Sequence, residues 1–211
     1  LQNVSGAVSF HDVSFSYIEG GDGGASLLGV SADKERSDNG STAAVVARAS
    51  SRPLALQNVN FDIKPGELAA LVGPSGAGKT TMIRMLCGLL KPSGGKGSVV
   101  GLDVSSENEK IKHKIGYMSQ KFSLYNDLTI SENIDFYGGI YGLPQDRISE
   151  KKQELLCQLN LVSWKDRLTA SLPPGFKQGL ALGTAMLHDP PIIFLDEPTS
   201  GVDPASRRKF W

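Results

Sequence analysis

Alternating apolar and polar residues in the N-terminal part of the chain predict β-strands. The alternation runs over residues 8–10 and 13–17, and the pair His11-Asp12 interrupts it as a β-bulge would. This pattern fits one edge strand or two strands of a meander. A second alternating stretch, residues 54–63, is followed by Lys-Pro-Gly-Glu at 64–67, which favours a turn.

Residues 18–52 separate these two stretches and differ from them in composition. They are rich in Gly, Ser and charged residues and contain few large apolar side chains. Such a segment buries too little surface to offset the entropy lost on ordering it. We therefore expect residues 18–52 to form a flexible insertion.

After residue 67 the apolar period changes repeatedly between that of a strand and that of a helix. The apolar run 68–72 predicts a strand, and helical spacing follows it until about residue 91. Thr129 and Glu132 have the spacing of a capping box at a helix start. The same reasoning predicts strands at 98–100, 115–118 and 192–195 and helices at 107–113, 128–143, 146–161 and 174–188. These elements indicate an α/β core with a helical subdomain inserted at about residues 121–186.

Charge and hydropathy restrict the classes of partner. Lys plus Arg and Asp plus Glu both number 22, so the formal net charge is zero and a basic nucleic-acid surface is not indicated. The sequence has neither a membrane-spanning apolar run nor a signal-peptide pattern, so a membrane role requires a partner. Cys87 and Cys157 lie beside leucines without metal-ligand spacing, and we interpret both as reduced core residues of a cytosolic protein.

The strongest chemical signal is a glycine-rich run between the predicted strand and helix. It has the form G-x-x-x-x-G-K-T of a phosphate-binding loop, in which backbone N–H groups surround an anion. Lys79 is expected to reach the β- and γ-phosphates, Thr80 to offer its hydroxyl to Mg²⁺, and Thr81 to contact the α-phosphate. The run comprises Gly73, Pro74, Ser75, Gly76, Ala77, Gly78, Lys79, Thr80 and the following Thr81.

Two carboxylates follow the apolar strand 192–195. Asp196 and Glu197 lie where that strand ends, and α/β folds bind ligands at the carboxyl edge of the sheet. Beside a phosphate loop, Asp196 is expected to hold Mg²⁺ and Glu197 to polarise the water that attacks the γ-phosphate. A solvated turn at the end of a strand is the alternative interpretation.

The order of these motifs resembles that in the nucleotide-binding domains of ABC transporters. Residues 73–80 look like Walker A, Gln120 like the Q-loop, 172–178 like the signature, 194–199 like Walker B and 200–203 like the D-loop. The resemblance leaves out only the insertion. It implies an α/β P-loop NTPase (ABC ATPase) core with an antiparallel β subdomain and an inserted helical subdomain. Residues 1–211 are then one domain, which we expect to be incomplete at its C-terminus because the chain stops at Trp211.

The resemblance also implies roles for residues outside the phosphate loop. Tyr17 matches the aromatic residue that stacks on adenine, although it fits an ordinary strand-end aromatic as well. Gln120 is expected to touch the Mg²⁺ or the attacking water and to sense the permease. The helix start at Gly175 would face the γ-phosphate of a partner domain, and Asp203 would cross the interface between the two domains.

The implied assembly is a dimer at a membrane. Two domains face head to tail with each ATP between them, and their closure drives a membrane permease. Residues 117–125 and 136–142 look most like ATPases paired with type-two export permeases. The expected location is the cytoplasmic face of the inner membrane, as a peripheral subunit, and no nucleic-acid partner is expected.

Three features depart from the family pattern. Pro173 replaces the signature serine, the γ-phosphate histidine expected beyond Walker B is not in the sequence, and the insertion 18–52 has no counterpart. Two other functions stay open, of which the second is the one that the Pro173 and histidine departures support. One is a soluble ABC-type ATPase that acts on DNA or ribosomes, which the neutral charge disfavours. The other is a nucleotide sensor that binds ATP without hydrolysing it.

Overall fold

The computed structural model describes residues 6–17, 54–119 and 124–198, and these form two β-sheets and five α-helices. The whole of the insertion 18–52 lies outside the described residues, so its predicted flexibility stays a prediction. In chain order the elements are β1 (Val8–Ser16), β2 (Leu54–Ile63), α1 (Lys79–Leu86), β3 (Gly94–Val99), β4 (Leu102–Asp103), α2 (Asn108–Lys112), β5 (Ile115–Met118), α3 (Ile130–Ile140), α4 (Gln145–Gln158), α5 (Pro174–Met186) and β6 (Ile192–Leu195).

The first sheet is antiparallel with the order β2-β1-β3-β4, so β1 is a central strand and the edge-strand prediction was wrong. Val8 pairs with Ile63 on one side and with Val99 on the other. Alternation reports which face of a strand is buried, but it does not report how many neighbours the strand has. The predicted antiparallel β subdomain is therefore present, with a different strand in its centre.

The predicted bulge at His11-Asp12 is confirmed, and it lies within a single strand. The register of β1 shifts between Phe10 and Val13 against β2, and Asp12 has a φ of 53°. The side chain of Asn60 accepts a hydrogen bond from the Asp12 amide at 2.8 Å and donates one to its carboxylate at 3.1 Å. Asp12 tolerates the left-handed conformation because its neighbour supplies these partners.

The second sheet has two parallel strands, β5 and β6, and both match the predicted ranges. Ile115 pairs with Ile192 and Met118 with Leu195. The ladder continues one step, because the Asp196 amide donates to the Met118 carbonyl at 2.9 Å. This last bond fixes the backbone at the point where the two carboxylates begin.

The predicted strand 68–72 was wrong. These residues have no regular secondary structure, and Leu68 and Val72 are 94% and 93% exposed. A strand forms only where a neighbouring strand accepts its hydrogen bonds, and no strand among the described residues lies beside this run. An apolar sequence alone does not supply that neighbour.

Helix α1 is shorter than predicted because Gly88 terminates it. Gly88 has a φ of 68°, and its amide donates to the Met85 carbonyl while the Leu89 amide donates to the Arg84 carbonyl, at 2.9 and 2.8 Å. This is a Schellman arrangement, in which a left-handed residue ends the helix. Leucines 89 and 90 continue the helical spacing but lie beyond the stop.

Two hydrophobic cores support the fold. One joins the antiparallel sheet to α1 and the near side of β5, and the other joins Met118 to helices α3, α4 and α5. Cys87 is buried in the first core, as predicted, whereas Cys157 on α4 is exposed, so its assignment to the core was wrong. Cys157 shares the helical spacing of its neighbours but lies on the outer face of α4.

Helices α3 and α4 approach closely at Gly138, whereas the next residue, Gly139, makes no such approach. Gly138 is buried, and a Cβ atom added to it would lie 2.7 Å from Cγ1 of the buried Ile148. Gly139 is exposed, and a Cβ atom there would meet nothing within 4 Å. A salt bridge between Lys152 and Asp135, at 2.7 Å, joins the same two helices.

We expect opposite effects from alanine at these two positions. Gly138→Ala should destabilise the protein by about 1–3 kcal/mol, because the stiff side chain of Ile148 must move away from the new methyl group. Gly139→Ala should stabilise it by roughly 0.5–1 kcal/mol, because alanine favours the helix. Urea unfolding of the two variants and the parent measures both effects, and equal changes in the two variants would contradict the close approach.

His188 lies half-buried behind α5 and stacks on Tyr141, with ring centroids 3.8 Å apart. Its Nε2 lies 3.1 Å from the Ile115 carbonyl, and its buried Nδ1 has no hydrogen-bond partner among the described residues. Burial lowers the pKa of His188 below its usual range, although the Ile115 carbonyl and nearby Asp189 act in the opposite direction.

The depressed pKa of His188 predicts a loss of stability in acid. The unfolded chain takes up this proton more readily than the folded one, so the free energy of unfolding should fall as pH drops below the unfolded histidine pKa of about 6.5. His188→Gln should reduce that slope. Denaturant titrations at several pH values between 5 and 8 test this, and a constant difference between parent and variant across that range would refute it.

Candidate functional site

The phosphate loop begins the site and is held open by two glycines with positive φ. Gly76 and Gly78 have φ values of 83° and 82°, and the Ala77 amide donates to the Pro74 carbonyl at 3.3 Å. Gly78 also packs on β2, where an added Cβ atom would lie 2.6 Å from the Leu56 side chain. Both the conformation and the close approach exclude larger residues at Gly78.

Lys79 bridges the beginning of the same loop. Its ammonium donates to the carbonyls of Gly73 and Pro74, at 2.7 and 2.8 Å. The side chain therefore folds back over the turn from the first residue of α1. The positive charge lies above a loop whose N–H groups and helix N-terminus also favour an anion.

Thr80 and Asp196 are brought together across the fold. The Thr80 hydroxyl donates to Oδ1 of Asp196 at 3.1 Å, although 116 positions separate the two residues. Asp196 is 4% exposed and lies directly after β6. A hydroxyl and a single carboxylate are hard oxygen donors, and Mg²⁺ in phosphate sites is held by one or two protein oxygens together with phosphates and water. The donors present therefore fit Mg²⁺.

A cavity of about 270 Å³ joins the phosphate loop to Glu197 and Tyr17. Glu197 has a φ of 52°, so the backbone turns sharply just after Asp196. The strained conformation separates the directions of two consecutive carboxylates, one beside Thr80 and one at the cavity wall. The residues that line the cavity are Tyr17, Ala55, Ser75, Gly76, Gly78, Lys79, Thr80, Thr81 and Glu197.

Tyr17 reaches the phosphate loop from the end of β1. Its hydroxyl lies 2.8 Å from Oγ1 of Thr81, and its ring makes an edge contact with Phe15, with centroids 4.9 Å apart. Tyr17 is 54% exposed, so part of it is accessible to a ligand. Although the insertion 18–52 follows Tyr17 in the sequence, Tyr17 itself lies beside the phosphate loop.

The structure adds one residue to the predicted set. Ala55 lines the cavity from β2, whose neighbouring residue Leu54 pairs with Ser16 just before Tyr17. No sequence motif marks Ala55. Only the pairing of β1 with β2 places it beside the tyrosine.

Gly73, Pro74 and Ala77 belong to the phosphate loop and Asp196 to the Thr80 contact without lining the cavity itself. Three further predicted site residues are not placed at the site. Gln120 and Asp203 lie outside the described residues, so their roles stay predictions. Gly175 lies in the first turn of α5 and is not among the residues that line the cavity. A role for Gly175 in nucleotide binding would thus need a second copy of the domain.

The start of α5 has an unusual chemistry. Pro173 is its N-cap residue, makes no side-chain cap bond and is followed by Pro174 in the first turn. The amides of Phe176 and Lys177 both donate to the Pro173 carbonyl at 3.1 Å. Because proline has no N–H, this helix start offers an anion fewer donors than a serine-capped helix would.

A buried thiol lies behind the carboxylates. Burial raises the pKa of Cys87, and the negative charge of Asp196 raises it further. Cys87 therefore stays protonated and neutral beside the site. Among the described residues no group of three or more His, Cys, Asp or Glu side chains is arranged to hold a metal ion.

Sequence comparison gives the family. The family described as ABC transporter matches residues 56–200. The probable multidrug ABC transporter ATP-binding protein YbhF of Escherichia coli is 48% identical over 157 residues, which are 74% of this chain and 27% of YbhF. The human cholesterol transporter ABCA5 is 40% identical over 159 residues, 74% of this chain and 10% of that protein. The chain thus spans about a quarter of YbhF and a tenth of ABCA5.

Structural comparison agrees with the sequence. A dimeric structure of the ATP-binding cassette MJ0796, in a post-hydrolysis state bound to ADP and Pi, superposes with a TM-score of 0.72 at 26% identity. The match covers 96% of this chain and 78% of that one. The predicted α/β P-loop fold is thereby confirmed. The chain belongs to the ABC transporter family, in which it is an ATP-binding domain of the ABC ATPase type.

Proposed function

We propose that this domain binds and hydrolyses Mg-ATP to power export of a compound through a partner membrane permease. The observation that carries the proposal is the Thr80–Asp196 hydrogen bond beside a cavity that Glu197 and the phosphate loop line together. A phosphate cradle, a donor pair for a metal and a carboxylate base are the parts that phosphoryl transfer to water requires.

Each residue has a separate task in this mechanism. The loop amides and Lys79 hold the β- and γ-phosphates, Thr81 contacts the α-phosphate, and Thr80 with Asp196 holds Mg²⁺. Mg²⁺, when bound, neutralises charge on the phosphate oxygens. Glu197 accepts a proton from the attacking water, so its carboxylate must be ionised and must face the γ-phosphate.

Two copies of the domain complete the site in this proposal. Gly175 of one copy faces the γ-phosphate held by the other, and Gln120 and Asp203 act at the metal and the interface. The dimeric MJ0796 structure supports a paired arrangement. The separation of Gly175 from the cavity within one chain also fits an assembly in which the partner supplies the signature.

The transport role rests on the relatives. YbhF is described as a multidrug transporter ATP-binding protein and ABCA5 as a cholesterol transporter. No helix among the described residues is both long enough and apolar enough to cross a membrane. On the strength of the transporter names of these relatives, we place the membrane pathway in a partner permease and the ATPase at its cytoplasmic face.

Substitution of the base should separate binding from turnover. In the full-length protein, Glu197→Gln should lower kcat about 10²- to 10⁴-fold, because the amide cannot accept the proton, and should leave ATP affinity nearly unchanged. Phosphate release and equilibrium binding of a labelled ATP measure the two quantities. Glu150→Gln on the exposed face of α4 is the matched control and should change neither.

The results distinguish the proposed ATPase from the nucleotide sensor. Turnover of Glu197→Gln at the parental rate would show that Glu197 is not the base. ATP binding without turnover in the parent, measured with its membrane partner present, would instead support a non-hydrolysing sensor.

Tyr17 should contribute to affinity through its ring. Tyr17→Ala should weaken ATP binding by roughly ten-fold, within the range of base–aromatic stacking, whereas Tyr17→Phe should keep most of the affinity. Competition by inorganic tripolyphosphate, which has no base, should be unchanged in both variants. If Tyr17→Ala weakened tripolyphosphate as much as ATP, the tyrosine would act through Thr81 and the phosphate loop rather than on the base.

A further inference from the structure

Asn133, on the first turn of α3, is fully buried and links three separate parts of the chain. Its Oδ1 accepts the Tyr125 amide at 2.9 Å, and its Nδ2 donates to the carbonyls of Tyr125 and Thr129 at 2.9 and 3.1 Å. Nδ2 also donates to Oγ1 of Thr169 at 2.9 Å, so its two hydrogens are shared among these three acceptors. The Thr169 bond is the one that leaves the local loop and reaches a segment 36 positions away.

A row of backbone hydrogen bonds surrounds that side-chain bond. Residues 126–131, which are the end of the loop before α3 and the first two residues of that helix, run beside residues 165–170, which lead to the start of α5. The bonds are Ile130 N to Arg167 O at 3.1 Å, Ser131 N to Lys165 O at 2.9 Å, Thr169 N to Leu128 O at 2.9 Å and Ala170 N to Asn126 O at 3.1 Å. Lys177 in α5 adds contacts from its ammonium to the Ala170 carbonyl at 3.1 Å and to the Asn126 side chain at 3.4 Å.

The start of α5 depends on this support because it has little of its own. Pro173 makes no side-chain cap bond, and neither Pro173 nor Pro174 has an N–H with which to tie the turn to its surroundings. Leu172 is buried, and its amide donates to the Thr169 carbonyl at 3.1 Å. A shift of Thr169 would therefore also move Leu172, which directly precedes the prolines at the start of the helix.

We propose that Asn133, through its bond to Thr169, is a positioning residue that fixes the N-terminus of α5, including Gly175, against the loop 125–129. The inference rests on the proposed function, since Gly175 is there assigned to the γ-phosphate of the partner domain. Asn133 touches no substrate. It acts by holding a proline-opened helix start at the place where the second copy must meet it.

Thr169→Val tests the bond with a minimal change. Valine has the shape of threonine but no hydroxyl, so Asn133 keeps its Tyr125 and Thr129 partners and loses only the bond between the segments. Thr169→Ser restores a hydroxyl and should rescue the variant. Thr184→Val is the matched control, because Thr184 is equally buried but donates to Ala181 within its own helix, at 2.9 Å.

Two measurements on the full-length protein decide the inference. Hydrogen exchange of the Ala170, Phe176 and Lys177 amides should quicken about three- to tenfold in Thr169→Val but not in Thr169→Ser or Thr184→Val. In the presence of the membrane partner, kcat should fall by a similar factor in Thr169→Val, with the affinity for ADP, which has no γ-phosphate, unchanged.

Exchange that is unchanged in Thr169→Val, or equally quickened in Thr184→Val, would overturn the inference. A loss of ADP affinity equal to the loss of kcat would also overturn it, because a helix start outside the cavity should not alter the phosphate loop. A parent that binds ATP and never hydrolyses it would refute the proposed function instead, and the exchange rates would still decide the role of the Asn133–Thr169 bond.

Discussion

The hydrogen bond between Thr80 and Asp196 is the contact on which the arrangement of the site depends. It joins the first turn of α1 to the end of β6, and so joins the loop that is shaped for phosphate to the carboxylates. Its geometry requires that β6 pair with β5 in register, since the ladder bond from Asp196 to Met118 fixes where the strand ends. It also requires that α1 begin at Lys79, which Gly78 permits by packing against β2. The bond thus connects the parallel sheet to α1, whose start packs against the antiparallel sheet.

The two sides of the cavity are built in different ways. The phosphate side is a single local motif whose glycines adopt positive φ, and its chemistry is contained in nine consecutive residues. The opposite side is assembled from distant strands, with Tyr17 just after β1 and Ala55 on β2. The Tyr17–Thr81 contact connects the two sides, so a ligand that moves one of these side chains acts on the other.

Sequence alone predicted the local parts well because their information is local. Strands β5 and β6, the capping box at Thr129 and the phosphate loop each follow from a few adjacent residues, and the structure places them as expected. The predictions that were wrong depend on contacts with elements that are distant in the sequence. The central position of β1, the irregular run 68–72 and the exposure of Cys157 depend on which elements lie alongside, and a hydrophobic pattern does not contain that information. Ala55 was missed for the same reason.

The two cysteines give the molecule a built-in asymmetry of chemical reactivity. Cys87 is buried and its pKa is raised, so reagents do not reach it and little of it is present as the reactive thiolate. Cys157, in contrast, lies exposed on α4. The sequence contains no other cysteine. A thiol-directed fluorophore or spin label therefore attaches to the folded native chain at one position on the helical layer. Movements of that layer relative to the nucleotide become observable without a single engineered residue.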